Sequence, residues 1–137
     1  MELYENLVMW YLTKDKYIFI SPQYSIRGDT GKEWSCPDFV ALNFKQKEVS
    51  IVEVSTAFYP DSLAKKVKDR NSQWVEKLKA QLTDYGIIDD NWKNFKVQVF
   101  IRRDAVGKFK NAIGNAPDVS IEILEDLGAP WQWSRTV

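Results

Sequence analysis

Histidine is absent from this chain, and cysteine occurs once, as Cys36. A lone thiol excludes an intrachain disulfide, and the lack of histidine excludes the usual Cys/His zinc clusters. Ser-His-Asp and Cys-His triads and any histidine general base are excluded with them. Hydrolytic chemistry would therefore have to use carboxylates, lysines or a hard metal ion bound by oxygen. An excess of charge is missing too. The 19 Lys and Arg balance 19 Asp and Glu, so a nucleic-acid partner would have to be recognised by local charge rather than by a global field.

Proline and glycine are sparse, at 5 and 6 residues, while apolar residues make up 45% and charged residues 28%. That composition excludes a collagen-like or disordered chain and predicts a globular one. No apolar run reaches the ~18 residues of a membrane span. The opening Met1-Glu2-Leu3-Tyr4-Glu5 has no basic stretch ahead of an apolar one, so the expectation is a cytoplasmic, intracellular protein with no membrane partner. At about 100–200 residues per domain, the 137 residues are expected to form one domain spanning 1–137.

From Leu3 to Leu12 the apolar residues Leu3, Tyr4, Leu7, Val8, Tyr11 and Leu12 recur at helical spacing, with Glu5 at the edge of the stripe. Tyr17 to Ile20 reads as a first strand that could continue past Pro22 to Ile26, and Arg27 to Lys32 as a polar, glycine-punctuated loop. Asp38 to Phe44 and Val49 to Thr56 read as a hairpin. Asp61 or Ser62 can cap a long helix whose apolar face is Leu63, Val67, Trp74, Leu78, Leu82 and Tyr85, with Gly86 past its end. Phe95 to Ile101 is a fourth strand, Ala105 to Ile113 a helix closed by Gly114, and Val119 to Leu124 a fifth strand. The third strand has apolar residues on both faces, Val49 and Ile51 against Val52 and Val54, so it should be central with helices on either side. The fold class expected is α/β, a mixed central sheet flanked by helices.

Paired residue numbers in an antiparallel hairpin have a constant sum. A loop of Lys45-Gln46, or of Phe44 to Lys47, sets Val40 opposite Ile51, Leu42 opposite Val49 and Asp38 opposite Glu53. Facing carboxylates on a covered sheet repel, and a desolvated carboxylate must find a partner or take up a proton. A divalent cation such as Mg²⁺ resolves that conflict, because one or two protein carboxylates commonly hold it while phosphate oxygens and water complete its shell. Such a site suits phosphodiester hydrolysis. Each acid alone also fits a structural role: Asp38 follows Pro37 at a strand start, and Glu53 could face solvent on an edge strand. Their coincidence at one register favours a site.

At these residues the sequence resembles the PD-(D/E)XK nuclease superfamily. The match is Pro37-Asp38, then Glu53-Val54-Ser55, with Glu5 in the first helix, and it covers about the first 100 residues. The resemblance implies a restriction-endonuclease-like α-β-β-β-α-β core, here with an added C-terminal helix and strand. It implies that Asp38, Glu53 and the main-chain carbonyl of Val54 hold Mg²⁺ or Mn²⁺, with Glu5 binding directly or through water. Ser55 stands where the family has a lysine that orients or activates the attacking water. The explanations open are a lysine from elsewhere, metal-only chemistry, or a domain that binds without cutting. Lys65 and Lys66 are the nearest candidates, and Lys66 is favoured because it projects from a flank of the long helix.

Lys66, Arg70, Gln73 and Lys77 form one stripe beside that helix's apolar face, and from Lys65 to Lys79 basic residues outnumber acidic ones. Such a stripe can follow a phosphate backbone or be a solvated face. Arg27 and Lys32, with Arg102 and Arg103, could extend it. Trp10 and Trp74 fit packing stripes. Trp34, Trp131 and Trp133 have no core slot and suit base stacking or a subunit contact. The expected function is a metal-dependent endodeoxyribonuclease of phage or mobile-element type acting on DNA, for which a homodimer would suit the cutting of two strands. The alternatives are a catalytically inactive nucleic-acid-binding module and a protein-interaction module on the same fold.

Overall fold

In the computed structural model, which describes residues 2–128, the first helix α1 spans Leu3–Leu12. It opens with a reciprocal cap: the Glu5 N–H donates to the Glu2 side chain, and the Glu2 N–H donates to Glu5 Oε2. This arrangement satisfies two N-terminal donors that the helix itself cannot. The expected stripe is trimmed at its start, since Leu3 and Tyr4 are exposed while Val8 and Leu12 are buried. Met1 and the Trp131-Gln132-Trp133 tail lie outside the described residues.

Strand β1, Ile18–Pro22, ends earlier than the longest reading of it. Gln23 takes a positive φ of 49°, which turns the chain out of the sheet, so Ile26 belongs elsewhere. Two short strands, β2 (Ile26–Arg27) and β3 (Glu33–Ser35), pair as a separate ribbon where a plain loop was expected. Then come β4 (Phe39–Asn43) and β5 (Glu48–Val54), joined by the four-residue loop 44–47. Asn43 Oδ1 accepts from the N–H groups of Lys45 and Gln46, an Asx turn that sets the loop length and with it the register.

The long helix is three segments: α2 (Asp61–Lys68), a π-helical turn at Asn71–Val75, and α3 (Glu76–Asp84). Pro60, rather than Asp61 or Ser62, sits at the N-cap, with no side-chain cap bond. The extra residue in a π turn withdraws main-chain carbonyls from ordinary helical pairing, and Trp34 Nε1 donates to the carbonyls of Ser72 and Gln73 at 3.2 and 3.0 Å. Tyr85, expected on the apolar face, is exposed because the helix has ended at Asp84 and turns at Gly86 with φ 73°. Strand β6 (Asn94–Ile101), α4 (Val106–Ile113) and β7 (Val119–Ile123) follow.

The main sheet has the order β1-β4-β5-β6-β7, antiparallel across β1, β4 and β5 and parallel across β5, β6 and β7. The fold is α/β with a mixed sheet, and β5 is its middle strand as its two apolar faces require. On one face Val49, Ile51, Val97 and Val99 pack with Leu63, Val67, Trp74, Leu78 and Phe109. On the other, Phe39, Ala41, Val52 and Phe100 pack with Val8 and Leu12 of α1. Among the described residues no helix is long and apolar enough to cross a membrane.

Candidate metal centre and basic face

The register of β4 and β5 pairs Phe39 with Val52, Val40 with Ile51 and Leu42 with Val49. Asp38, one residue ahead of β4, is thereby brought to Glu53 as the hairpin arithmetic requires. Two hydrogen bonds lock the pair. The Asp38 N–H donates to Glu53 Oε2 at 3.0 Å, and the Val54 N–H donates to Asp38 Oδ2 at 2.8 Å. Each carboxylate therefore accepts from the main chain of the opposing strand, which offsets part of the cost of taking it out of water.

Glu53 is only 8% exposed. Burial, followed by the charge of Asp38 and a hydrogen bond to its side chain, pushes the Glu53 carboxyl up to about 8, while the Asp38 N–H and the charge of Lys66 pull it down. Without a cation, burial beside Asp38 therefore favours the neutral form of Glu53. Glu5 joins from the first turn of α1. Burial raises its carboxyl above 4.5 against the N–H of Glu2, and the charge of Asp38 with a side-chain hydrogen bond to Asp38 raises it further. Cys36 borders the same acids: burial first, then Glu33, Asp38 and Glu53, raise its thiol. Among the described residues, no group of three or more His, Cys, Asp and Glu side chains is arranged to hold a metal. The carboxylates in closest mutual support are the two of the hairpin, and two are within the number Mg²⁺ commonly takes from a protein.

Ser55 follows Val54 at the end of β5. Its N–H donates to the Phe100 carbonyl, and its Oγ accepts from the N–H of Ala57 at 3.2 Å. Lys66 is exposed on α2, and its charge acts on Glu53 through space. No ion pair between described residues joins the two. The Lys66 charge is the smallest of the causes acting on Glu53.

The rest of the expected basic stripe divides. Arg70 is engaged by Asp118, with Nε to Oδ2 at 2.6 Å and Nη2 to Oδ1 at 2.7 Å, and its Nη1 donates to the Val67 carbonyl. Its charge is neutralised locally. Gln73 Nε2 donates to Ser35 Oγ and ties the ribbon to the helix. Lys77 lies 4.4 Å over the Trp34 ring in a cation–π contact, and none of the ion pairs between described residues involves it. Arg27 lines a cleft of about 380 Å³ with Lys77, Gln81 and Tyr85, but Asp29 and Asp84 line it too. Lys32 is exposed in the turn of the ribbon. Arg103 is taken up by Asp126 and by Glu125, which accepts from its N–H.

Residue spacing did not disclose a cluster at the end of the β5–α2 connection, where Phe58 and Tyr59 stack edge to face beneath Lys108. Two adjacent large aromatics in a short connection between strand and helix were the available signal. In comparisons with known proteins, the chain matches no family model, no curated protein and no solved structure.

Proposed function

We propose that this chain is a metal-dependent endodeoxyribonuclease, hydrolysing phosphodiester bonds with Mg²⁺ or Mn²⁺ at Asp38 and Glu53. The observation that carries the reading is the mutual bracing of these two acids across the β4–β5 hairpin. The fit to a hard cation rests on their chemistry. Both offer only oxygen, and a cation bound there would displace the proton that burial favours on Glu53, so its affinity should rise with pH. The Pro37-Asp38 and Glu53-Val54-Ser55 resemblance to the PD-(D/E)XK superfamily points the same way.

Asp38, Glu53 and the Val54 carbonyl would hold the ion, with Glu5 binding directly or through water. Bound there, it supplies Lewis-acid polarisation of a phosphoryl oxygen and charge to offset that developing on the leaving oxygen. Lys66 brings a positive charge to Glu53 and takes the orienting part that Ser55 cannot, since a hydroxyl carries no charge. The Ser55 O–H can donate to a phosphate oxygen. Lys66, Lys77, Arg27 and Lys32 supply the positive surface for a DNA backbone, while Arg70 and Gln73 act mainly in holding the helix in place. A homodimer belongs to this reading where both strands are cut.

The test is nicking of plasmid and branched DNA in Mg²⁺ or Mn²⁺ by wild type, Asp38→Ala and Glu53→Ala. Loss of roughly a hundredfold or more in both variants is expected, as for removal of groups that position a metal; undiminished cutting by both overturns the reading. One observation favours a second reading, a nucleic-acid-binding module without catalysis: Ser55 stands in the motif position, where a hydroxyl supplies no positive charge. It predicts binding that falls steeply with salt, needs no divalent ion and survives Asp38→Ala.

A further inference from the structure

We propose that Phe58 and Tyr59, together with Arg102 and Lys108, form a subsite for an unpaired nucleotide of single-stranded DNA beside the carboxylate pair. The inference rests on the nuclease reading for its choice of DNA as ligand, and it narrows that reading to strands with exposed bases.

Position comes first. The segment carrying Phe58 and Tyr59 leaves the end of β5, just after Glu53, and enters α2, which carries Lys66. Phe58 is 39% and Tyr59 63% exposed, and their rings meet edge to face with centroids 4.6 Å apart at 84°. Rings set at a right angle offer faces in two directions. Lys108 Nζ lies 4.1 and 3.7 Å from the two ring centroids, and the Arg102 guanidinium 5.4 Å from that of Phe58. Arg102 shares its charge with Asp104 at 2.6 Å. Among ion pairs between described residues none involves Lys108.

Lys108 covers one face of each ring, and the ring surface left exposed beside these cations matches one ligand chemistry well, a base to stack and a phosphate to neutralise. A duplex keeps its base faces inside the stack and offers only phosphates to such a surface, so the aromatic half of the patch has use only for an unpaired base. Arg102 also lines a cleft of about 250 Å³ with Tyr4, Thr56, Leu124 and Glu125; Tyr4 and Thr56 are the chain neighbours of Glu5 and Ser55.

The experiment uses the full chain in EDTA, so that no strand is cut, with a short single strand carrying 2-aminopurine and a duplex of the same sequence. Wild type is expected to quench the probe in the single strand. Phe58→Ala and Tyr59→Ala should each weaken single-strand binding roughly tenfold and lose the quenching, the size of one stacked base. Tyr59→Phe should keep both, and Lys108→Gln should lower the slope of log K against log salt by about 0.7. Duplex binding should change by less than about twofold. Absence of quenching with wild type, or equal weakening on single strand and duplex, overturns the subsite. Metal-dependent nicking that persists in that case leaves the nuclease reading intact, whereas quenching without any nicking keeps the subsite and rejects the nuclease.

Discussion

Asp38 and Glu53 each hold the other's strand: the Asp38 main chain donates to the Glu53 carboxylate at 3.0 Å, and the Asp38 carboxylate accepts from the residue after Glu53 at 2.8 Å. Two acids that repel are thus also two hydrogen-bond acceptors that the hairpin needs. Which aspect dominates depends on whether Glu53 carries its proton.

At pH 6, where Glu53 is protonated, Asp38→Ala removes the acceptor of the part-buried Val54 N–H and relieves little repulsion. The expected loss is about 1–2 kcal/mol, the cost of an unpaired buried donor. Asp38→Asn keeps an acceptor and should lose less. Thermal denaturation in EDTA checks both, and at pH 9 the alanine penalty should shrink, because the variant then also removes a charge facing an ionised Glu53.

Glu53 gives a pH dependence opposite in sign to that of a salt-bridged acid. Its folded pKa of about 8 lies above the ordinary 4.5, so between those values the folded state binds more protons than the unfolded one. The metal-free protein should therefore lose stability as pH rises from 4.5 to 8, with no further loss from this group above that. Glu53→Gln should flatten the slope and be the more stable protein at pH 9. Urea denaturation midpoints across this range in EDTA measure it; a wild-type curve unaltered by the substitution rejects the burial argument.

Asp118→Asn should act in opposite directions on stability and on binding. The Arg70–Asp118 pair is bidentate but its side chains are 21% and 43% exposed, so its loss should cost only about 0.5–1 kcal/mol after screening by solvent. The Asp118 carboxyl is held below 3.8, chiefly by hydrogen bonds from Arg70. That contribution is present above pH 3.8 and is lost as pH falls through the lowered value. Freed of its partner, Arg70 should tighten duplex DNA binding and steepen the log K against log salt slope by about 0.9, the share of one phosphate. Fluorescence anisotropy over a salt series reads both.

Legibility followed distance along the chain. The α1 range, the hairpin register, the middle position of β5 and the neighbouring of Asp38 and Glu53 were all readable, because each depends on spacing within about 20 residues. The ribbon of β2 and β3 was not, since its reason lies in Gln81: Oε1 accepts from the Arg27 N–H and Nε2 donates to the Ser25 carbonyl. The π turn was equally hidden, its Ser72 and Gln73 carbonyls being satisfied by a Trp34 that periodicity left without a slot.

Sequence by itself thus determined which residues alternate, which helix face is apolar and which two acids must meet, for these are consequences of backbone geometry and local chain connectivity. Tertiary structure alone decided which charges are free. It spent Arg70 on Asp118 and laid Lys108 across Phe58 and Tyr59. The physical reason is that a charge's effect depends on its neighbours in space and its distance from water, and partners tens of residues apart are chosen by packing, to which no local spacing rule applies.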